Sequence, residues 1–235
     1  MIGYDSRSDM PHAYPILLNL AGRRVVIVGG GKVAARKAAG LLDAGADDVT
    51  VIAPAFAGGF ADSVRQVAAT YAPEALDGAS LVFAATDSAD VNARVVRDAR
   101  ARNLFVCRAD GDDDAPGDFV TPAKFGDAHL LVAVSAGSAA LSTRVRDAIG
   151  KSLDPVWARM ARAMATLRPW VRGQDLPQER RAAVFRTLAS DAALAVLAGG
   201  DVAALRAWAI AQHPELRGEA TRPPREPAKG GRDDD

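Results

Sequence analysis

A short run of Val and Ile that passes directly into three consecutive glycines restricts this chain more than any other feature. Arg24-Val25-Val26-Ile27-Val28 is followed by Gly29-Gly30-Gly31-Lys32-Val33-Ala34. Apolar residues then recur at helical spacing at Val33, Ala34, Ala38, Leu41 and Leu42, and Gly45 stands where a C-terminal cap belongs. A second run, Val49-Thr50-Val51-Ile52-Ala53, is stopped by Pro54. Strand, helix and strand over about thirty residues form a βαβ unit, which closes right-handed with its strands parallel. The turn reads G-x-G-x-x-A. Gly29 permits the tight turn, Gly31 allows close backbone approach, and Ala34 lets the helix lie against the strand. The helix N-terminus then offers free N–H groups and a partial positive charge to a pyrophosphate.

The dinucleotide contacts expected from this pattern are Gly29, Gly30, Gly31, Lys32 and Val33 in the turn, and Pro54 and Ala55 after the second strand. No acid ends that second strand to hold a ribose 2′-OH, and no Arg is there to hold a 2′-phosphate. This feature therefore does not choose between NAD and NADP.

The alternation continues. Residues 67–71 predict a short third strand, 80–85 a fourth, 89–102 an amphipathic helix and 104–107 a fifth strand, followed by the acidic turn Asp110-Gly111-Asp112-Asp113-Asp114. This is the grammar of a doubly wound α/β sheet. Thr86 falls at the carboxyl end of the fourth strand, where open α/β sheets bind ligands. It is a candidate contact to ribose or nicotinamide, or else it opens a turn in which Asp87 or Ser88 caps the next helix.

After Pro116 the pattern changes. Residues 119–121 and 129–135 read as two strands and 138–153 as a helix. Most of 155–211 is helical, with breaks at Pro169, Gly173, Pro177 and Gly199-Gly200. The expected organisation is a loose arm over 1–13, a Rossmann domain over 14–117, a strand-and-helix segment over 118–153, a helical domain over 154–214 and a disordered tail over 215–235. The fold class is thus α/β: a Rossmann-type parallel sheet, a small strand-containing segment and a C-terminal helical domain.

Composition narrows the partners. Lys plus Arg number 29 and Asp plus Glu also number 29, so no global positive field marks a nucleic-acid binder. The single Cys107 allows no internal disulfide, which suits a cytoplasmic protein. With three scattered histidines, His12, His129 and His213, it makes no standard zinc site, so no metal is expected. The apolar runs, such as 130–134, are too short to span a bilayer, and the polar start, residues 1–10, is not a secretory signal.

Several segments together are distinctive. They are Tyr14-Pro15-Ile16-Leu17-Leu18-Asn19-Leu20, then Val25 to Lys37 through the glycine turn, Ala84-Ala85-Thr86-Asp87 with Asn92, and Phe119 with Pro122. Val132-Ala133-Val134-Ser135, Ser138-x-x-Leu141 with Arg146, and Pro177 to Arg181 complete the set. Over roughly residues 14–212 the chain resembles the precorrin-2 dehydrogenase family, the N-terminal module of siroheme synthases, found alone or fused to a methyltransferase. The resemblance implies NAD-dependent oxidation of precorrin-2 to sirohydrochlorin. It also implies a homodimer joined through the region after the Rossmann domain, and, in some members, insertion of ferrous iron. At 235 residues the fused methyltransferase is not expected.

The family places a functional Asp just after the fifth strand, in a pattern like Asn-Val-x-Asp. Here the stretch reads Phe105-Val106-Cys107-Arg108-Ala109-Asp110, which makes Asp110 the first candidate for the base, with Cys107 where Asn is common and Arg108 inside the stretch. A slid register would move the role to Asp114, in Asp114-Ala115-Pro116. A solvated acidic turn is the plain alternative.

Precorrin-2 is a polycarboxylate, so it needs a local basic patch. Ser135, Arg144 and Arg146, with Lys151, are candidates, against an ordinary turn and a solvated helix face. Ser138 reads as a helix N-cap, Trp157, Met160 and Met164 as core or interface, and His129 as a strand-edge residue. Two other functions compete: a non-catalytic NAD-sensing module and an unrelated Rossmann oxidoreductase.

Overall fold

The computed structural model describes residues 14–110 and 117–217. The predicted arm over 1–13, the acidic turn beyond Asp110 with Asp114, and residues 218–235 of the predicted tail lie outside them. The chain divides into two compact units at Pro122/Ala123.

The first unit is a five-stranded sheet. Its strands are β1 (Arg24–Val28), β2 (Asp48–Ala53), β3 (Arg65–Ala68), β4 (Leu81–Ala84) and β5 (Phe105–Arg108). They lie in the order β3-β2-β1-β4-β5, and every pairing is parallel. Side chains alternate across the sheet. Val25 and Ile27 bury toward α1 (Lys32–Leu42) with Ala34, Ala38 and Leu41. Val26 and Val28 bury toward α2 (Ala89–Ala101) with Val95, Val96 and Ala99. Both faces of a parallel sheet are thus covered, which is why its central strands are apolar on both sides. The chain order reverses between β1 and β4, and that reversal sets the ligand crevice at their carboxyl ends.

The predicted third strand is offset. It pairs over Arg65–Ala68, and Tyr71 instead hydrogen-bonds Asp98 at 2.9 Å. The predicted strand over 119–121 is a correction. The Asp118 carboxylate and amide are pinned to Val106 of β5, at 3.1 and 2.7 Å. Phe119 then meets Phe83 edge to face at 5.4 Å, and Thr121 precedes Pro122. The segment is used to close the first core, and pairing starts only after the proline.

The second unit opens with a hairpin, β6 (Ala123–Gly126) and β7 (Leu131–Val134), backed by α3 (Ala139–Ser152). His129 lies in the hairpin turn rather than on a strand, and its N–H donates to Asp127. That N–H, the Arg162 guanidinium and the Leu130 N–H together pull the Asp127 carboxyl down to about 2. Ser138 caps α3 through the Leu141 N–H at 3.1 Å, as the sequence predicts.

Four helices follow: α4 (Val156–Arg172), α5 (Gln178–Leu188), α6 (Asp191–Gly199) and α7 (Val202–Gln212). The predicted break at Pro169 is absent, and α4 runs through it. Proline removes one N–H and frees one carbonyl, that of Ala165. Both residues are exposed near the helix end, where water can serve that carbonyl. Gly173 and Pro177 do separate α4 from α5, and Ser190 starts α6 as its N-cap.

Met160, Leu167, Trp170, Val184, Leu188, Leu197 and Leu205 fill the core of this unit, whereas Trp157 stays exposed. Leu216 is buried there too, and the Arg217 carbonyl accepts from Trp170 Nε1 at 3.0 Å, so packing extends past residue 214. Among the described residues no single helix is long and apolar enough to cross a membrane. Leu188 is fully buried, so Leu188→Ala is expected to cost about 2–5 kcal/mol, read as a lower denaturant midpoint.

Candidate active site

The glycine turn occupies the carboxyl end of β1. Gly29 has φ 128°, and a Cβ there would lie 2.2 Å from the Ala85 carbonyl oxygen. Gly30, the variable position of the motif, is equally constrained: a Cβ would meet the Ala55 carbonyl oxygen at 2.0 Å and Ala53 Cβ at 2.8 Å. The Ala57 N–H also closes onto the Gly30 carbonyl at 2.7 Å. Ala53 and Ala55 are therefore the wall against which the turn is packed.

Gly31 differs from both. It is the extended N-cap of α1, with nothing among the described residues within 4 Å of a Cβ. The first helical bond runs from the Ala35 N–H to the Gly31 carbonyl, so the N–H groups of Lys32, Val33 and Ala34 precede the helical ladder. Open space before three such donors at a helix N-terminus fits a pyrophosphate. Lys32 and Val33 are exposed at this opening, and Ala34 is fully buried against the sheet.

Lys37, later in the same motif, does not face the turn. Its Nζ bonds the Thr121 hydroxyl and sits 5.9 Å from the centre of the Phe83 ring. Burial lowers its pKa below the ordinary lysine value and raises that of the neighbouring Cys107 thiol. Its contribution is to packing.

A polar cluster stands at the ends of β4 and β5. Asn92, fully buried on α2, accepts at Oδ1 from the Thr86 hydroxyl at 2.8 Å and the Thr86 N–H at 3.1 Å. Its amide donates to the Thr86 carbonyl at 3.0 Å and to Asp110 Oδ2 at 2.7 Å. Arg108 forks onto the same carboxylate, Nε to Oδ1 at 2.6 Å and a terminal nitrogen to Oδ2 at 3.0 Å. The Arg108 side chain is 2% exposed and that of Asp110 is 25% exposed. A buried guanidinium thus holds a carboxylate that is one quarter exposed. Ser88, rather than Asp87, caps α2 through the Val91 N–H, and the Thr86 hydroxyl is engaged with Asn92 and Ser88. Thr86 is accordingly a post that fixes the β4 exit.

Sequence reasoning placed Asp110 and Thr86 here but not the buried Asn92–Arg108 clamp between them. The available signal was Arg108 itself, a charged residue at the end of an apolar parallel strand, where a charge is buried only with a partner.

In the second unit, Ser135 is exposed after β7 and Arg144 is exposed on α3. Arg146 pairs with the adjacent Asp147 at 2.6 Å. The unit is basic, with 13 Arg and Lys against 8 Asp and Glu over residues 123–217, whereas residues 1–122 carry 12 against 16. The neutral chain is charge-segregated. Among the described residues no group of three His, Cys, Asp or Glu side chains is placed to hold a metal ion.

An NAD(P)-binding family model matches residues 16–123. The siroheme synthase of Chromobacterium violaceum is 34% identical over 201 residues, spanning 83% of this chain and 42% of that protein. The siroheme synthase of Methylobacillus flagellatus is 38% identical over 175 residues, 71% of this chain and 37% of that protein. The chain thus spans about two fifths of the length of these curated relatives. The solved structure named "SirC, precorrin-2 dehydrogenase" shares the fold with a TM-score of 0.69 at 22% identity, covering 84% of this chain and 98% of its own. The glycine turn and the order of the sheet agree with these likenesses: residues 16–123 match an NAD(P)-binding domain, and the chain is similar to a part of siroheme synthases.

Proposed function

We propose that this chain catalyses NAD-dependent dehydrogenation of precorrin-2 to sirohydrochlorin, in the cytoplasm, on the route to siroheme. The observation that carries this reading is the clamped Asp110 carboxylate at the same sheet edge as the glycine turn, one strand beyond β4. The turn and the α1 N-terminus bind the pyrophosphate, and Pro54 and Ala55 border the adenosine side. When bound, the nicotinamide supplies the hydride acceptor. Asp110 receives the proton that the tetrapyrrole must lose with that hydride, at a carboxylate oxygen. Asn92, bonded to Thr86 at the end of β4, holds the Asp110 carboxylate. Ser135, Arg144 and Arg146 belong to the basic second unit and meet carboxylates of the polyanionic substrate.

A homodimer completes the proposal. Two strands and a helix make a small core, and Leu131, Leu141 and Ile149 stay 36–48% exposed on β7 and α3. A second copy would cover them.

Purified protein incubated with enzymatically generated precorrin-2 and NAD is expected to form sirohydrochlorin and NADH in equal amounts. NAD binding without turnover would sink the dehydrogenase and favour a sensing module. Adding ferrous iron to the sirohydrochlorin, against the spontaneous rate, separates a chelating enzyme from a dehydrogenase alone.

A further inference from the structure

We infer that Arg108 is a positioning residue of this active site, acting through Asp110, an inference that rests on Asp110 being the base. A guanidinium that is 2% exposed is costly unless paired, and its position at the end of β5 makes it rigid. Three of its contacts are directional. Two form the fork onto the Asp110 carboxylate, at 2.6 and 3.0 Å, and the third runs to the Ala89 carbonyl at the start of α2, at 3.2 Å. Arg108 therefore ties the loop after β5 to the helix after β4.

Asn92 adds a second, independent hold on Asp110 Oδ2 at 2.7 Å, and is itself bonded to Thr86 on three atoms. The fork and the amide fix the plane of the carboxylate, and its side chain stays 25% exposed.

Proton transfer requires near-ångström placement, and a misplacement of about 1 Å costs about 10²-fold in rate. Arg108→Gln keeps length and polarity but removes the charge and the fork. It is expected to lower kcat about 10²-fold while the NAD dissociation constant and the KM for NAD stay near wild type. Arg108→Lys, which keeps the charge as a single point, is expected to recover part of that loss.

The double variant Arg108→Gln/Asp110→Asn supplies the readout that a merely structural role would not move. If Arg108 acts through Asp110, the double variant is no slower than Asp110→Asn alone, because residues acting as one unit do not add. Additive losses would overturn the inference. So would wild-type kcat in folded Arg108→Gln. Should Arg108→Gln fail to fold, Arg108→Lys carries the test, with a kcat below wild type at unchanged NAD affinity expected and wild-type kcat overturning. Wild-type turnover by Asp110→Asn would remove both this inference and the reading beneath it. A silent Asp110→Asn beside a fully active Arg108→Gln would remove the inference alone.

Discussion

Asp110→Asn is expected to lower the turnover of precorrin-2 by about 10²–10⁴-fold while leaving NAD affinity close to wild type. The size follows from the role. An amide of the same shape cannot take up the proton, so only the hydride-accepting half of the reaction keeps its partner. NAD affinity is expected to be spared because the proposed seat of the pyrophosphate is the glycine turn, not the β5 loop.

The substitution also has a structural cost that must be kept apart from the chemical one. Asn in this place must turn its NH2 toward either the Arg108 fork or the Asn92 amide, donor against donor. One hydrogen bond is lost, at about 1–3 kcal/mol before water offsets it at a side chain that is 25% exposed. A melting curve reads that cost, and single-turnover kinetics with saturating NAD read the chemistry. Asp114→Asn is the matching control and is expected to turn over like wild type. If Asp114→Asn is silent and Asp110→Asn active, the base lies four residues later.

How far the sequence reaches depends on the range of the interaction. The βαβ unit is local: apolar runs, a glycine turn and Gly45, which takes φ 84°, specify it within thirty residues, and β1, α1 and β2 form where expected. The cap at Ser138 is equally local. What failed was set by contacts far along the chain. Phe119 to Thr121 carries strand-like residues, yet Asp118 is held by β5 and Phe119 by Phe83, so the pairing segment slips beyond Pro122. Pro169 reads as a breaker because its local cost is known, but only three residues follow it in α4 and the carbonyl it frees, that of exposed Ala165, is open to water.

In the site, Asp110 was legible as an acid after a strand. Its clamp was not, because Asn92 and Arg108 are separated by a whole helix and meet only when β4 and β5 pair in register. Arg108 looked like a departure from the family pattern. In the structure its guanidinium is buried and paired with the Asp110 carboxylate.

Gly29→Ala and Gly31→Ala are expected to fail in opposite ways, and the contrast tests whether the turn serves packing or phosphate. At Gly29 an added Cβ would lie 2.2 Å from the Ala85 carbonyl oxygen, and φ is 128°. Neither side can yield, since the Gly29 N–H is bonded to Ile52 in β2 and Ala85 follows β4, so the clash sits between central strands. Backbone strain and overpacking together cost about 3 kcal/mol or more, and Gly29→Ala is expected to melt well below wild type. Gly30→Ala meets the Ala55 carbonyl oxygen at 2.0 Å and is expected to behave the same way.

Gly31 has φ −84° and ψ −177°, which any residue adopts, and open space where its Cβ would be. Gly31→Ala is expected to melt like wild type and to bind NAD at least about tenfold more weakly, a loss of about 1.4 kcal/mol, because the methyl enters the volume the pyrophosphate would fill. Gly31→Val enlarges the same obstruction and should weaken binding further at an unchanged melting temperature. Titrating NAD against each variant by protein fluorescence gives the affinity, and a thermal melt gives the stability. Full NAD affinity in Gly31→Val would show that the open volume before α1 is not where the pyrophosphate sits. Three adjacent glycines would then be explained by packing at two positions, with no function left for the third.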